Sequence, residues 1–216
     1  MLTVYFIVVQ TQKGEKPVLK NLIVEFGAFD ASSNRSGAFL FLSTEEKVFL
    51  EFGLEVSYPE GRKLLPTFEY RVAKDSGVYA PCDGEVTALY YQEATEDYAI
   101  GIKSNSRSNY IVWIDHVKEP KVEKGDTIEA GAPLGKAGTW GDNLSRVELM
   151  ITQQGGKEET YYAPFLFFDP ELREEYENKV WVLMEDWEDF KADTSIYQED
   201  DMVYADCLYE TLSEDD

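Results

Sequence analysis

The stretch Val78-Tyr79-Ala80-Pro81-Cys82-Asp83-Gly84-Glu85-Val86 decides the fold. It holds a turn, Ala80 to Gly84, that leads into a predicted strand from Glu85 to Tyr91. Further along the chain, glycines recur between short apolar runs, where tight turns need the positive φ that glycine adopts without strain. These glycines are Gly125, Gly131, Gly135, Gly138 and Gly141. Short strands joined by turns are therefore predicted here.

Three more strands are predicted in the middle segment, because each is a short run rich in β-branched and aromatic residues. They are Tyr98 to Lys103, Asn109 to Asp115 and Arg146 to Thr152. Residues 66–168 show no convincing helical period. We expect residues 61–168 to form one antiparallel β core.

The first 60 residues also predict strands. Thr3 to Val9, Asn21 to Phe26 and Ala38 to Leu42 are rich in β-branched and aromatic side chains. Between Lys47 and Val56, apolar residues alternate with polar ones, which is typical of a half-buried strand in an antiparallel sheet. We expect residues 1–60 to form a strand-rich lead packed on the core.

Residues 169–216 follow a different pattern. Asp169-Pro170 is typical of the start of a helix, and apolar residues then recur three and four apart as far as Lys191. They are Leu172, Tyr176, Val180, Leu183, Trp187 and Phe190. One amphipathic helix, about 170–191, is predicted to dock on the β core ahead of an acidic tail. The fold class is therefore mainly β, with N-terminal strands and one C-terminal helix.

The composition excludes several classes of function. The 216 residues include 42 acidic and 20 basic ones, and a net charge of −22 disfavours nucleic acids and anionic membranes as partners. The single histidine, His116, excludes sites that need two imidazoles, as most catalytic zinc sites do. No apolar run approaches the roughly 18 residues of a membrane span. The apolar start lacks the basic leader of a signal peptide, although one could have been trimmed away.

Three elements together resemble the β core of the lysostaphin/LytM-type zinc metallopeptidases, in the duplicated-hybrid-motif superfamily. Val78 to Val86 looks like the family's V-x-A-P-x-D-G-x-V element. Tyr110 to Val117 is similar to its Y-x-x-x-x-x-H-L strand. Val122 to Gly138 is similar to V-x-x-G-D-x-V-x-x-G-x-x-I-G-x-x-G. The resemblance implies a duplicated-hybrid-motif-like antiparallel β core and, in an intact member, a zinc-dependent peptidase.

The zinc-binding residues of that family are replaced in this chain. Its H-x-x-x-D motif falls on Leu65 and Glu69, and its H-x-H motif falls on Arg146-Val147-Glu148. His116 alone matches a family position, where the resemblance implies that it stabilises or deprotonates the reacting water or oxyanion. We interpret the chain as a degenerate member with a vestigial groove, no catalytic residue that we assign and no cofactor.

A residual metal site on Glu69, His116 and Glu148 is the alternative, because two carboxylates and an imidazole can bind a divalent ion. Residues 146 and 148 share one face of a strand, so Arg146 would bring a cation to the same place. We therefore favour an ion pair of Arg146 with Glu69 or Glu148 over a metal.

Two aromatic residues are candidates for ligand binding. Trp140 lies in a Gly-rich turn that matches a loop bordering the substrate groove of the peptidases, and Tyr110 is the second candidate, although many such rings only fill a core. The cysteines leave two states open. Cys82 and Cys207 would form a disulfide in an exported protein and stay free thiols in the cytosol.

Three functions follow from this reading. The first is an inactive peptidase-like module that binds a ligand or partner through the old groove, with a glycan or a cell-envelope protein as what the resemblance implies. The second is a hydrolase with an altered metal site at Glu69, His116 and Glu148. The third is a structural or interaction protein whose groove is filled. An extracytoplasmic location follows if the resemblance holds and a signal peptide was trimmed, and a cytoplasmic one otherwise.

Overall fold

The computed structural model describes residues 15–58, 61–155, 159–198 and 206–210. The strand predicted at residues 3–9 lies outside them. The predicted mainly β class is confirmed. The strands are β1 Phe29–Asp30, β2 Arg35–Ser36, β3 Phe39–Leu40, β4 Phe49–Leu50, β5 Glu55–Tyr58, β6 Gly61–Leu64, β7 Phe68–Ala73, β8 Gly77–Tyr79, β9 Gly84–Gln92, β10 Asp97–Lys103, β11 Tyr110–Lys118, β12 Thr127–Ile128, β13 Pro133–Trp140, β14 Leu144–Gln153, β15 Glu159–Tyr162 and β16 Cys207–Glu210. The helices are a short 3₁₀ helix at Pro164–Phe167 and α1 at Arg173–Lys191.

One large antiparallel sheet carries the middle of the chain. Its order is β12-β9-β10-β11-β13-β14-β15-β16, with β7 also on β14, β4 on β7 and β8 on β13. The four strands predicted between residues 85 and 152 are confirmed as β9, β10, β11 and β14. Smaller sheets are formed by β1-β2-β3 and by the β5-β6 hairpin.

Strand β11 forks at His116. From Tyr110 to Asp115 it pairs with β14, and from Val117 onward it pairs with β13. On its other side, Asp115 and His116 together oppose the single residue Ala99, because the register with β10 shifts there. His116 has φ 59° at this bulge, a left-handed conformation that is uncommon outside glycine. The bulge places His116 where three strands meet.

Two of the predicted N-terminal strands are wrong. Residues 21–26 form an irregular segment, because the Asn21 side chain accepts a hydrogen bond from the Ile23 amide at 2.9 Å and Ile23 has φ 61°. The run 47–56 is interrupted after β4, where Glu51 is buried against Lys47 and Gly53 turns the chain at φ 85°. The predicted strand 38–42 is reduced to the two residues of β3.

The C-terminal helix is confirmed, but it starts later than predicted. Asp169 accepts the Glu171 amide at 2.9 Å and ends a turn, and helix α1 begins at Arg173 and ends at Lys191. Its buried side chains include Val180, Leu183 and Trp187. Trp187 packs edge-on against Phe41 at 5.1 Å, so the helix docks on the N-terminal segment.

The core is a continuous cluster of buried aliphatic and aromatic side chains that joins the large sheet, the N-terminal segment and α1. Leu19 and Phe168 form an isolated parallel β-bridge, so the start of the described chain lies beside the segment that follows the large sheet. Among the described residues, no helix is long and apolar enough to span a membrane.

Candidate functional site

The pairing of β7 with β14 builds a charged cluster on one face of the sheet. Glu69 stands directly opposite Glu148, and Arg71 stands directly opposite Arg146. Along β7, Arg71 forms an ion pair with Glu69, and along β14 the Arg146 Nη1 atom lies 4.0 Å from Glu148 Oε1. Like charges directly across a strand pair repel, and the opposite charges two residues along each strand compensate.

His116 completes this charged cluster and is held from two sides. Its Nδ1 atom lies 2.8 Å from Oδ2 of Asp97, and its Nε2 atom lies 3.5 Å from Oε1 of Glu148. Asp97 is 1% exposed, and its other oxygen accepts a hydrogen bond from Thr95 at 2.6 Å. Burial alone would lower the pKa of His116, but hydrogen bonding to Glu148 and the nearby carboxylates raise it above its usual value.

The two glutamates of the charged cluster titrate differently. Burial and the neighbouring charge of Glu148 raise the pKa of Glu69 to about 7, against the opposing effect of Arg71. Burial acts in the same direction on Glu148, but hydrogen bonding to His116 and the charges of His116 and Arg146 hold the pKa of Glu148 below its usual value. As the pH falls through about 7, the pair therefore takes up its first proton, mainly on Glu69.

Trp140 covers the charged cluster at its outer end. The centre of its ring lies 3.2 Å from the Arg71 guanidinium carbon and 5.3 Å from that of Arg146. Its indole N–H donates to Glu45 at 3.3 Å. Trp140 and Arg71 also line a cavity of about 920 Å³ whose other walls come from residues 44–47, from β5 and from the end of α1. Trp140 is 36% exposed, and its ring lies between the charged cluster and the solvent in this cavity.

The structure places Glu69, His116, Arg146, Glu148 and Trp140 near one another. Leu65 is buried, and its amide donates to the Leu54 carbonyl, so the family's first histidine position holds an aliphatic side chain without a donor atom. Tyr110 does not border the cavity. Its ring is 7% exposed and packs against Tyr162 and Phe167, which makes it a core residue.

Both cysteines are free thiols. Cys82 is buried in the turn before β9, and Cys207 is half-buried on β16 beside Tyr162. The disulfide that the sequence left open is therefore absent between them. Burial and the charge of Asp83 raise the pKa of the Cys82 thiol to about 12, which makes it unreactive.

Sequence reasoning missed Arg71 and Asp97. The signal for Arg71 was present, because Glu69 and Arg71 alternate on β7 as Arg146 and Glu148 do on β14, and pairing the two strands sets the four charges side by side. Asp97 is the first residue of β10, after the four-residue turn 93–96, and gave no such signal. Its contact with His116 depends on the fork of β11.

Asp97, Asp115 and His116 offer oxygen and nitrogen atoms that lie within 4.8 Å of one another, which is the spacing of a small metal site. Their atoms already have partners, however. His116 Nδ1 is hydrogen-bonded to Asp97, and Asp115 Oδ1 accepts from Gln92 at 2.7 Å and from the His116 amide at 2.8 Å.

Zinc, which the resemblance implies, fits the residues at the family positions poorly. Leu65 has no ligand atom, Arg146 brings a cation, and Arg71 forms an ion pair with Glu69, the carboxyl group nearest the expected aspartate.

Several solved structures are similar to this chain over part of its length. The SpoIIQ–SpoIIIAH pore-forming complex aligns at 20% identity over 72% of this chain and 93% of that one, with a TM-score of 0.46. Lysostaphin from Staphylococcus simulans aligns at 15% identity over 59% of this chain and 52% of that one, with a TM-score of 0.45. LytU aligns at 17% identity over 56% and 83%, with a TM-score of 0.43. The chain thus spans about half the length of lysostaphin.

No curated protein sequence matches this chain. A family match covers the segment that holds β7 through β15, which includes every member of the charged cluster. The resemblance predicted from the sequence is confirmed, since residues 67–162 match the model of peptidase family M23.

Proposed function

We propose that this protein is a non-catalytic M23-type module that binds a ligand or partner of the cell envelope through the groove at Trp140. One observation carries the proposal. Two guanidinium groups, those of Arg71 and Arg146, lie beside Glu69 and Glu148, where the family's zinc ligands would converge.

Loss of the metal removes the family's chemistry. In a metallopeptidase the zinc ion polarises the attacking water and stabilises the developing oxyanion. A guanidinium paired with a carboxylate can do neither, because its charge is already compensated and it cannot deprotonate water near neutral pH. His116 is engaged with Asp97 and Glu148, so it is a structural group in this proposal.

The groove nevertheless keeps the features of a binding site. A cavity of about 920 Å³ with a partly exposed tryptophan at its edge suits a ligand with a flat or apolar face. The family resemblance supports a cell-envelope glycan or envelope protein as the occupant. An extracytoplasmic location belongs to the same proposal.

Metal content tests the non-catalytic half of the proposal. Elemental mass spectrometry of the purified protein, before and after incubation with excess zinc and desalting, should find zinc far below one ion per chain. Near-stoichiometric zinc would overturn the proposal and favour the hydrolase with an altered site at Glu69, His116 and Glu148. His116 also belongs to the group of Asp97, Asp115 and His116, whose possible ligand atoms lie within 4.8 Å of one another, so retained zinc would have to be assigned between the two groups.

Binding tests the other half. Co-sedimentation with purified peptidoglycan should retain the wild-type protein, and Trp140→Ala should weaken retention by about tenfold or more, as expected for loss of a stacking anchor. Tyr91→Ala is the matched control, since Tyr91 is 53% exposed on β9 and lies away from the cavity. Equal retention of Trp140→Ala and wild type, or no retention of either, would support the filled-groove alternative instead.

A further inference from the structure

A buried guanidinium beside the cavity has donors that the described residues do not satisfy. Arg71 is 7% exposed, and its Nη1 atom has no hydrogen-bond partner in the described parts of the chain. Its Nη2 atom is paired with Glu69, and its flat face is covered by Trp140. A buried donor without an acceptor destabilises the protein, and a charged donor does so more strongly. A ligand that supplies the missing acceptor would recover that free energy.

A charged acceptor suits the free donor of Arg71 best, because hydrogen bonds between a guanidinium and an anion are stronger than those to a neutral acceptor. Arg146 stands directly opposite Arg71 on the neighbouring strand, so two guanidinium groups lie at this end of the cavity. Glu45, Glu46, Glu55 and Asp193 line other parts of the cavity, so the attraction for an anion is confined to the end next to Arg71.

The other cations of the cavity wall are already engaged. Lys47 forms an ion pair with Glu51 and lies 4.6 Å from the Tyr197 ring centre. Lys191 donates to the carbonyls of Ser43 at 2.8 Å and Glu45 at 2.9 Å. Arg71 is thus the cavity-lining cation whose hydrogen-bonding capacity points to a ligand.

Trp140 controls access to this guanidinium. It is the last residue of β13, paired with Leu144 across the turn 141–143. Because the ring covers the flat face of the Arg71 guanidinium, a ligand that approaches that face requires the Trp140 side chain to rotate. The indole can then stack on the ligand as it stacks on the guanidinium.

We propose that the groove selects ligands that carry a free carboxylate, which Arg71 Nη1 receives while the rest of the ligand packs against Trp140. This inference rests on the proposed function of the same groove and names the chemistry of its ligand. A planar guanidinium recognises a carboxylate by geometry as well as charge, so lysine is a poor replacement.

The test follows the indole N–H signals of ¹⁵N-labelled full-length protein. The chain has four tryptophans, and Trp140→Phe assigns the relevant signal. N-acetyl-alanyl-alanine with a free carboxylate should shift the Trp140 signal in a saturable way. The same peptide with a C-terminal amide should have an affinity lower by about tenfold or more. Glucuronate and inorganic phosphate form separate arms, which distinguish a peptide carboxylate from a sugar acid and from any oxyanion.

Variants of Arg71 complete the test. Arg71→Met should abolish the shift, and Arg71→Lys, which keeps the charge and guards against a folding defect, should weaken it by about tenfold. Arg173→Met is the matched control, because Arg173 is exposed on α1 and paired with Glu177. Equal binding of acid and amide, or full binding by Arg71→Lys and Arg71→Met, would overturn the inference.

The experiments distinguish failure of the carboxylate proposal from failure of the proposed binding function of the groove. If the acid and the amide shift the Trp140 signal equally and in a saturable way, the groove binds ligands but does not select a carboxylate. If neither probe binds and peptidoglycan is not retained either, the proposed function falls together with this inference.

Discussion

The Nδ1 atom of His116 lies 2.8 Å from Oδ2 of Asp97, a carboxylate that is 1% exposed. This contact fixes the ring of the only histidine in the chain, and it leaves Nε2 facing Glu148 at 3.5 Å. An imidazole placed between two carboxylates is stabilised as the imidazolium. A neutral His116 keeps its proton on Nδ1, where Asp97 accepts it.

The titration of His116 tests this arrangement directly. Because the chain has one histidine, its ring carbon-bound protons give one assignable pair of signals. We expect a pKa above the usual value, and Glu148→Gln should lower the pKa of His116 because a hydrogen-bonding anion is lost. His116 therefore contributes to the free energy of unfolding. This contribution is fully present below the pKa of histidine in the unfolded chain, and it is lost as the pH rises through the higher pKa of His116 in the folded protein. An unchanged titration in Glu148→Gln would contradict the geometry.

The substitution Gly138→Ala should disturb the contact between Asp97 and His116. A Cβ at Gly138 would lie 2.8 Å from Asp97 Oδ2 and 3.0 Å from the carbonyl oxygen of His116. Neither neighbour can move freely, so we expect a loss of about 1–3 kcal/mol in the free energy of unfolding. The histidine signals should shift as well.

Gly77→Ala is the matched control for that variant. Its Cβ would meet the hydroxyl end of Tyr79 at 2.9 Å, and Tyr79 is 37% exposed, so the ring can swing away. Denaturant unfolding of both variants checks the prediction. Equal stability of the two alanine variants would show that the space around Asp97 is looser than the structure has it.

Glu69→Gln should change how stability depends on pH. Burial beside Glu148 raises the pKa of Glu69 to about 7, so the folded protein holds a proton that the unfolded chain releases near pH 4.5. Stability contributed by Glu69 therefore falls as pH rises from about 4.5 to about 7 and stays low above it. The full effect is at most about 3 kcal/mol.

Glu69→Gln removes this titration, so the variant should lose less stability than wild type between pH 5 and about pH 8. Urea unfolding across that range measures the difference. Glu129→Gln, a change at an exposed glutamate in a loop, should follow the wild-type curve. A Glu69→Gln curve parallel to wild type would mean that Glu69 is ionised throughout.

Sequence patterns predicted the strands of the large sheet because their signals are local. Glycine turns and short runs of β-branched and aromatic residues predicted β9, β10, β11 and β14, and the motif resemblance implied that Glu69, Arg146 and Glu148 share one groove. The prediction at residues 21–26 was wrong because an asparagine side chain captured a backbone amide and bent the chain. Such competition between side chain and strand pairing leaves no periodic trace.

Arg71 and Asp97 escaped prediction for a different reason. Each depends on register: Arg71 joins the site through its pairing opposite Arg146, and Asp97 reaches His116 through the bulge in β11. Composition and motif spacing do not report cross-strand register. Tyr110 was misplaced because an aromatic residue on a strand fits a groove or a core equally well in sequence, and here it packs in the core.

The thiols offer a last test, which concerns how the C-terminal strand is held. Strand β16 pairs with β15 through backbone hydrogen bonds, and Cys207 on it is half-buried while Cys82 is 1% exposed with a pKa of about 12. Protein purified without reductant should therefore expose one thiol to Ellman's reagent when native, from Cys207, and two when unfolded. In the Cys207→Ser variant, no thiol should react in the native protein and one should react in the unfolded protein. If no thiol reacts in the unfolded wild type, Cys82 and Cys207 are bridged, and β16 is fastened covalently rather than by its pairing alone.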